Sequence, residues 1–198
     1  YIPADYLPVS LKDVKQMYSE LLALIASVKN PYLRKLLDSY FGDPDFARAF
    51  QFHSAAKSVH HGFVGGLLEH TLSVAKMCDY FAGAYPMLNR DLLLTAAMFH
   101  DIGKTKELSV FPENDYTEGF PPKLATELKH CILAHHGELE YGSPKKPALL
   151  EAMALNFADN ADAKMETMIE VLRGAGDNQG WLGYNRLLET NIRKTTEY

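Results

Sequence analysis

Apolar residues recur at three- and four-residue steps through most of this chain. Leu11, Val14, Tyr18, Leu21, Leu22, Ile25 and Val28 line one face of a predicted helix. The next segment is punctuated at both ends. Asn30 is a good N-cap, Pro31 suits the first helical position, and Gly42 can supply a left-handed C-terminal turn. Between them Leu33, Leu36, Leu37, Tyr40 and Phe41 form a stripe to be buried. The same periodicity predicts helices near Gly66 to Phe81, Arg90 to Ile102, Lys123 to Ala134 and Pro147 to Val171. Glu107 to Pro122 carries Pro-bounded turns and a Gly, and reads as loop. No segment sustains period-two alternation with β-branched residues, so no sheet is predicted. The expected architecture is an all-α helical bundle. It has a helical lead-in over residues 1–50, a central domain over 51–173 and a short C-terminal appendage over 174–198.

Composition narrows the class. With 198 residues, 47% of them apolar and 23% charged, the chain can bury a core without disulfide or zinc staples. That excludes wholesale disorder and fibrous compositions. The longest apolar runs, such as Leu92 to Phe99, are far too short to cross a bilayer, and no signal segment opens the sequence, so no membrane partner is expected. Cys78 and Cys131 lie in unrelated contexts with no CxxC pair, which excludes a cysteine-zinc site and a thioredoxin-type motif. Both read as reduced core residues of a cytoplasmic protein. The chain opens on Tyr1 rather than Met, as expected of part of something longer. A net charge of −5 excludes a broadly basic footprint for duplex DNA. It leaves room for nucleic acid as a substrate, because a site needs only local positive charge, from lysines or a metal.

The chemistry is concentrated. All eight histidines fall between His53 and His136, and histidine is both the commonest metal ligand and the usual acid–base group near neutral pH. His100-Asp101 ends the apolar run Leu92 to Phe99. A helix so apolar is buried, and its last turn delivers an imidazole and a carboxylate inward. A buried carboxylate is costly unless paired or metal-bound. His nitrogen beside Asp oxygen suits a borderline divalent metal. Taken alone, the pair fits better a helix end where His favours the dipole and Asp is solvated. His70 opens another amphipathic helix, and His135-His136-Gly137 closes one. Each, taken alone, also fits an ordinary polar position. Asp159 follows an apolar run and faces inward better than Asp162, which is either a supporting partner or solvated. His130, five positions before His135, shares its face poorly.

Taken in order, these residues carry more. His70, then His100-Asp101, then His135-His136, then Asp159, on separate helices, resemble the HD-domain metal-dependent phosphohydrolase superfamily, whose ligands run His, His-Asp, Asp. His100-Asp101-Ile102-Gly103-Lys104 is among its most characteristic stretches. Within it, Ser54-Ala55-Ala56-Lys57, His60-His61-Gly62 through His70-Thr71, Ala134-His135-His136-Gly137-Glu138, and Ala158-Asp159-Asn160-Ala161-Asp162-Ala163-Lys164 resemble the YhaM-type 3′→5′ exoribonucleases. One departure is plain. That family usually carries a Gly-His on a helix between the HD and His-His-Gly segments, whereas no His lies between Asp101 and His130 here.

The resemblance implies an HD domain over 51–173 and metal-assisted hydrolysis of a phosphodiester. The expected activity is a 3′→5′ exoribonuclease domain releasing nucleoside monophosphates from single-stranded RNA. The alternatives are an HD phosphohydrolase acting on a free nucleotide or cyclic dinucleotide, and a degenerate non-catalytic binding module. It implies one or two divalent ions, manganese first, with Fe, Co, Ni, Zn or Mg as alternatives. His70, His100, Asp101 and Asp159 are the expected ligands, with His135 for a second ion. Asp101 would help orient water, His136 would ligate or move a proton, and Lys104 would hold a phosphate oxygen. Lys57, His60 and His61 would line the substrate path. Implied partners are the RNA or nucleotide, an OB-fold module in a longer chain, and a second copy in a homo-oligomer.

Overall fold

The first three helices begin on the same device, a side chain that accepts the first free backbone N–H groups. Asp13 Oδ1 caps α1 (Val14–Ser27), accepting from the backbone of Lys15 and Gln16. Asn30 caps α2 (Pro31–Phe41) in the same way. Asp43 caps α3 (Pro44–Phe52), and in both α2 and α3 a proline follows the cap, where its missing N–H costs nothing. The expectation for Gly42 is corrected. Its φ of −86° is right-handed. Glycine is needed there because a Cβ would lie 2.5 Å from the Asp38 carbonyl oxygen.

The computed structural model describes residues 11–53, 64–106, 120–178 and 180–195. The chain continues through α4 (Gly66–Ala84), α5 (Arg90–Phe99), a short 3₁₀ turn (Ile102–Lys106), α6 (Pro122–Ala134), a second 3₁₀ turn (Leu139–Tyr141) and α7 (Leu150–Gly174). It closes with an antiparallel hairpin of β1 (Trp181–Asn185) and β2 (Thr190–Arg193). That hairpin and α3 go beyond the sequence reading. The fold is otherwise all-α, as expected. No helix among the described residues is long and apolar enough to cross a membrane.

The middle of the bundle is α5. Every residue from Leu92 to Phe99 is buried, as an apolar helix without a polar face requires. It packs against α4, α6 and α7, and α2 also touches it. Its start is fixed by polar contacts. Asp91 Oδ2 accepts from the backbone of Lys29 and Asn30 at 2.9 and 2.7 Å, tying down the α1–α2 corner. Glu151 Oε1 accepts from the Asn89 backbone at 2.7 Å, tying down the first turn of α7. Phe41, Phe46, Phe50, Tyr40 and Phe99 meet edge to face, tilted or stacked, sealing α2 and α3 onto the far end of α5. His100 and Asp101 follow directly on Phe99 at that end.

Candidate metal centre

Four helix segments converge at that end. The first turns of α4 supply His70. The end of α5 supplies His100 and Asp101, the end of α6 His135 and His136, and the middle of α7 Asp159. His70, His100, Asp101 and His135 are buried, and Asp159 is nearly so. His136 sits at the rim, with 47% of its side chain exposed.

The hydrogen bonds set the tautomers. His100 Nδ1 is 2.7 Å from the Ala97 carbonyl oxygen, and His135 Nδ1 is 2.6 Å from that of Ile132. A carbonyl only accepts, so each Nδ1 carries a hydrogen and each ring turns its Nε2 inward. His70 Nδ1 is 2.6 Å from Asp162 Oδ2. Its Nε2 also faces the centre, 3.1 Å from His100 Nε2, 3.2 Å from Asp159 Oδ1 and 3.4 Å from Asp101 Oδ2. Asp101 Oδ1 lies 4.0 Å from His135 Nε2, and Asp159 Oδ2 3.9 Å from His136 Nδ1. The two aspartates therefore face both pairs of imidazoles.

This arrangement is what a divalent ion needs. Imidazole nitrogens with carboxylate oxygens form a borderline donor set. His70, His100 and His135 each have the other ring nitrogen tied to a carboxylate or carbonyl, as metal-bound histidines do. His135 Nε2 is buried with no hydrogen-bond partner, a costly state that a cation relieves. Two groups offer atoms within 4.8 Å of one another: His70, His100 and Asp159; and His135, His136 and Asp159.

The electrostatics agree. Burial opposes a charge on His70, yet Asp101, Asp159 and Asp162 together hold its pKa well above the usual imidazole value. Burial likewise opposes charge on Asp101, but His100, His70 and Lys104 hold it well below the usual carboxylate range. Asp159 is lowered against its burial by His70 and His100. Burial pushes His135 and His136 down, helped by His100 and His135 respectively. The basin thus keeps its acids ionised and two of its imidazoles neutral.

Residues 67–164 match the family model described as HD domain. The chain belongs to the HD-domain family. All the residues that converge here lie within that HD domain. The chain is 34% identical over 190 residues to the 3'-5' exoribonuclease YhaM of Bacillus velezensis, covering 85% of this chain and 60% of that protein. The same figures hold for the YhaM of Bacillus subtilis. The YhaM of Listeria monocytogenes serotype 4b is 34% identical over 196 residues, with 86% and 61% covered. The chain therefore spans about 60% of the length of these curated relatives. No solved structure matches it.

Other expected residues fall as follows. Lys104 donates to Asp101 Oδ2 at 2.5 Å, so in the HD domain it faces the basin through that carboxylate. Lys57, His60 and His61 lie outside the described residues. His130 stands apart, its Nε2 accepting from the Ala148 backbone. The sequence reading left Asp162 open and missed Asn156, whose Nδ2 donates to the His135 carbonyl at 2.7 Å. The signal was available: Asn156, Asp159 and Asp162 stand at i, i+3 and i+6, on one face of α7.

Proposed function

We propose that this chain is the hydrolytic unit of a metal-dependent 3′→5′ exoribonuclease that releases nucleoside monophosphates from single-stranded RNA. The observation that carries the proposal is the basin of three inward Nε2 atoms and two carboxylates, each imidazole locked through its other nitrogen. The likeness to YhaM exoribonucleases supports the choice of substrate.

His70, His100, Asp101 and Asp159 would hold one divalent ion, manganese by preference. His135, with His136 and the shared Asp159, would hold a second. An ion bound there acidifies a water and draws charge from a phosphoryl oxygen. The chain's own part is orientation and charge. Asp101, kept ionised, faces both groups and can orient the attacking water. Lys104, tethered to Asp101, places a cation where a phosphate oxygen would enter. If His136 does not ligate, it is a neutral, half-exposed imidazole that can accept a proton at the rim. Lys57, His60 and His61 would line the RNA path. An OB-fold module in a longer chain would add grip on RNA, and a second copy of the chain would be a homo-oligomeric partner. Two buried free thiols fit a reducing cytoplasm.

The test is a product assay. With Mn²⁺, a 5′-labelled single-stranded RNA should give a descending ladder that a His100→Ala/Asp101→Ala chain does not produce. Intact RNA beside cleaved free or cyclic nucleotides would instead make this a small-nucleotide phosphohydrolase. A chain that binds no metal would be a binding module.

A further inference from the structure

The terminal hairpin has two unlike faces. Trp181 pairs with Arg193, Gly183 with Ile192, and Tyr184 with Asn191, with an irregularity between Trp181 and Gly183. That irregularity bulges Leu182 out of register and brings Trp181 to the same side as Tyr184, Asn191 and Arg193. The other side carries Ile192, 1% exposed, and β2 packs on α7. A lone two-stranded hairpin is marginal in water, so this docking holds it in place. The outer side stays open, with Trp181 67% and Tyr184 63% exposed. Arg193 Cζ lies 5.9 Å from the Trp181 ring centroid, which orders the pair.

Charge chooses among occupants. Arg186, Arg193 and Lys194 stand against Glu189 alone in residues 180–195, a local excess of positive charge in a chain of net −5. Exposed aromatic rings with a cation beside them are a means by which single-stranded nucleic acid is held: bases stack on the rings and phosphates pair with the cations. A duplex keeps its bases stacked and cannot use the rings. The hairpin follows the end of α7, where Gly174 is about 22 Å along the helix axis from Asp159.

We infer that the outer face of the β1–β2 hairpin is a stacking platform for single-stranded RNA, engaging nucleotides upstream of the one being cleaved. The inference rests on the exoribonuclease reading for its substrate, and places a second hold on RNA away from the metal basin. It gives long RNA an advantage over fragments too short to reach the hairpin.

Trp181 is the one tryptophan in the chain, so its emission reports on this face alone. Oligo(U) titrated into the full chain in EDTA should quench that emission saturably, and more weakly as salt is raised. Because EDTA removes catalysis, this arm stands even if the chain hydrolyses no RNA. With Mn²⁺, Trp181→Ala/Tyr184→Ala should lower the ratio of kcat/KM for long RNA over that for a dinucleotide by roughly 5- to 100-fold, through KM. Arg193→Ala should lower it in the same direction, with a shallower salt dependence of binding. An unquenched Trp181 overturns the inference. So does an unchanged ratio in a variant that melts like the parent. So does a variant whose defect is loss of self-association by size-exclusion chromatography, since the face would then belong to a second copy of the chain.

Discussion

Replacing Asp162 tests whether the basin is a metal site without touching any proposed ligand. Asp162 Oδ2 is 2.6 Å from His70 Nδ1, and both side chains are buried. The bond fixes the ring so that Nε2 points at Asp101, Asp159 and His100. Loss of such a supporting partner costs about 10- to 100-fold in metal affinity, which is about 1.4–2.7 kcal/mol. Asp162→Asn keeps an oxygen that can accept from Nδ1–H but loses the charge, so it belongs near tenfold. Asp162→Ala leaves the ring untethered and belongs near a hundredfold. The alanine variant also strands a buried donor, costing about 1–3 kcal/mol of stability, so it must be measured well below its melting temperature. The assay is isothermal titration of Mn²⁺ into chelator-stripped protein, with circular dichroism to show that each variant is folded. A folded Asp162→Ala chain that binds Mn²⁺ within about twofold of the parent would refute the argument that His70 is held for a metal.

Other outcomes follow from the same contacts. His70 is held protonated, so offering Nε2 to a metal releases a proton. Mn²⁺ affinity should fall as pH drops below the raised His70 pKa, and the titration heat should vary with the buffer's ionisation enthalpy. In the metal-free chain the same shift stabilises the fold at low pH, and that contribution fades as pH rises through the raised value. Asp101 works in the opposite sense, stabilising above the ordinary carboxylate range and losing its contribution as pH falls through its depressed value. Gly137 has φ +79°, and a Cβ there would lie 2.6 Å from Asn156 Nδ2. Gly137→Ala should therefore cost about 1–3 kcal/mol in urea denaturation, and should loosen the His135 carbonyl from Asn156. Burial pushes the Cys131 thiol up to about 12 and the Cys78 thiol higher still. Neither should react with a thiol reagent in the native state, and both should after denaturation.

What the sequence disclosed was whatever depends on neighbours along the chain. Asn30-Pro31 marks a helix start because cap and proline act within one turn; Asp43-Pro44 carries the same mark, but α3 went unread. Leu92 to Phe99 announces a central helix by having no polar face. The convergence of His70, His100, Asp101, His135 and Asp159 was legible because they stand at the ends or on the inward faces of four helices. The hairpin was not. Only Ile192 in it is fully buried, and the bulge after Trp181 breaks the period of two by which a strand is recognised. Nor was the choice of Asp162 as the partner of His70. Its side chain is buried by packing between α4 and α7, and spacing on α7 shows only that it shares a face with Asp159.

The bond between His70 and Asp162 joins residues 92 positions apart. Closing so long a loop costs entropy before any contact repays it, and contacts of that span form late in folding. Helices α1 to α3 can mature on local contacts, while the basin waits until α7 has docked on α4. If the basin holds a divalent ion, its uptake during refolding should report that closure and lag the helical signal in circular dichroism.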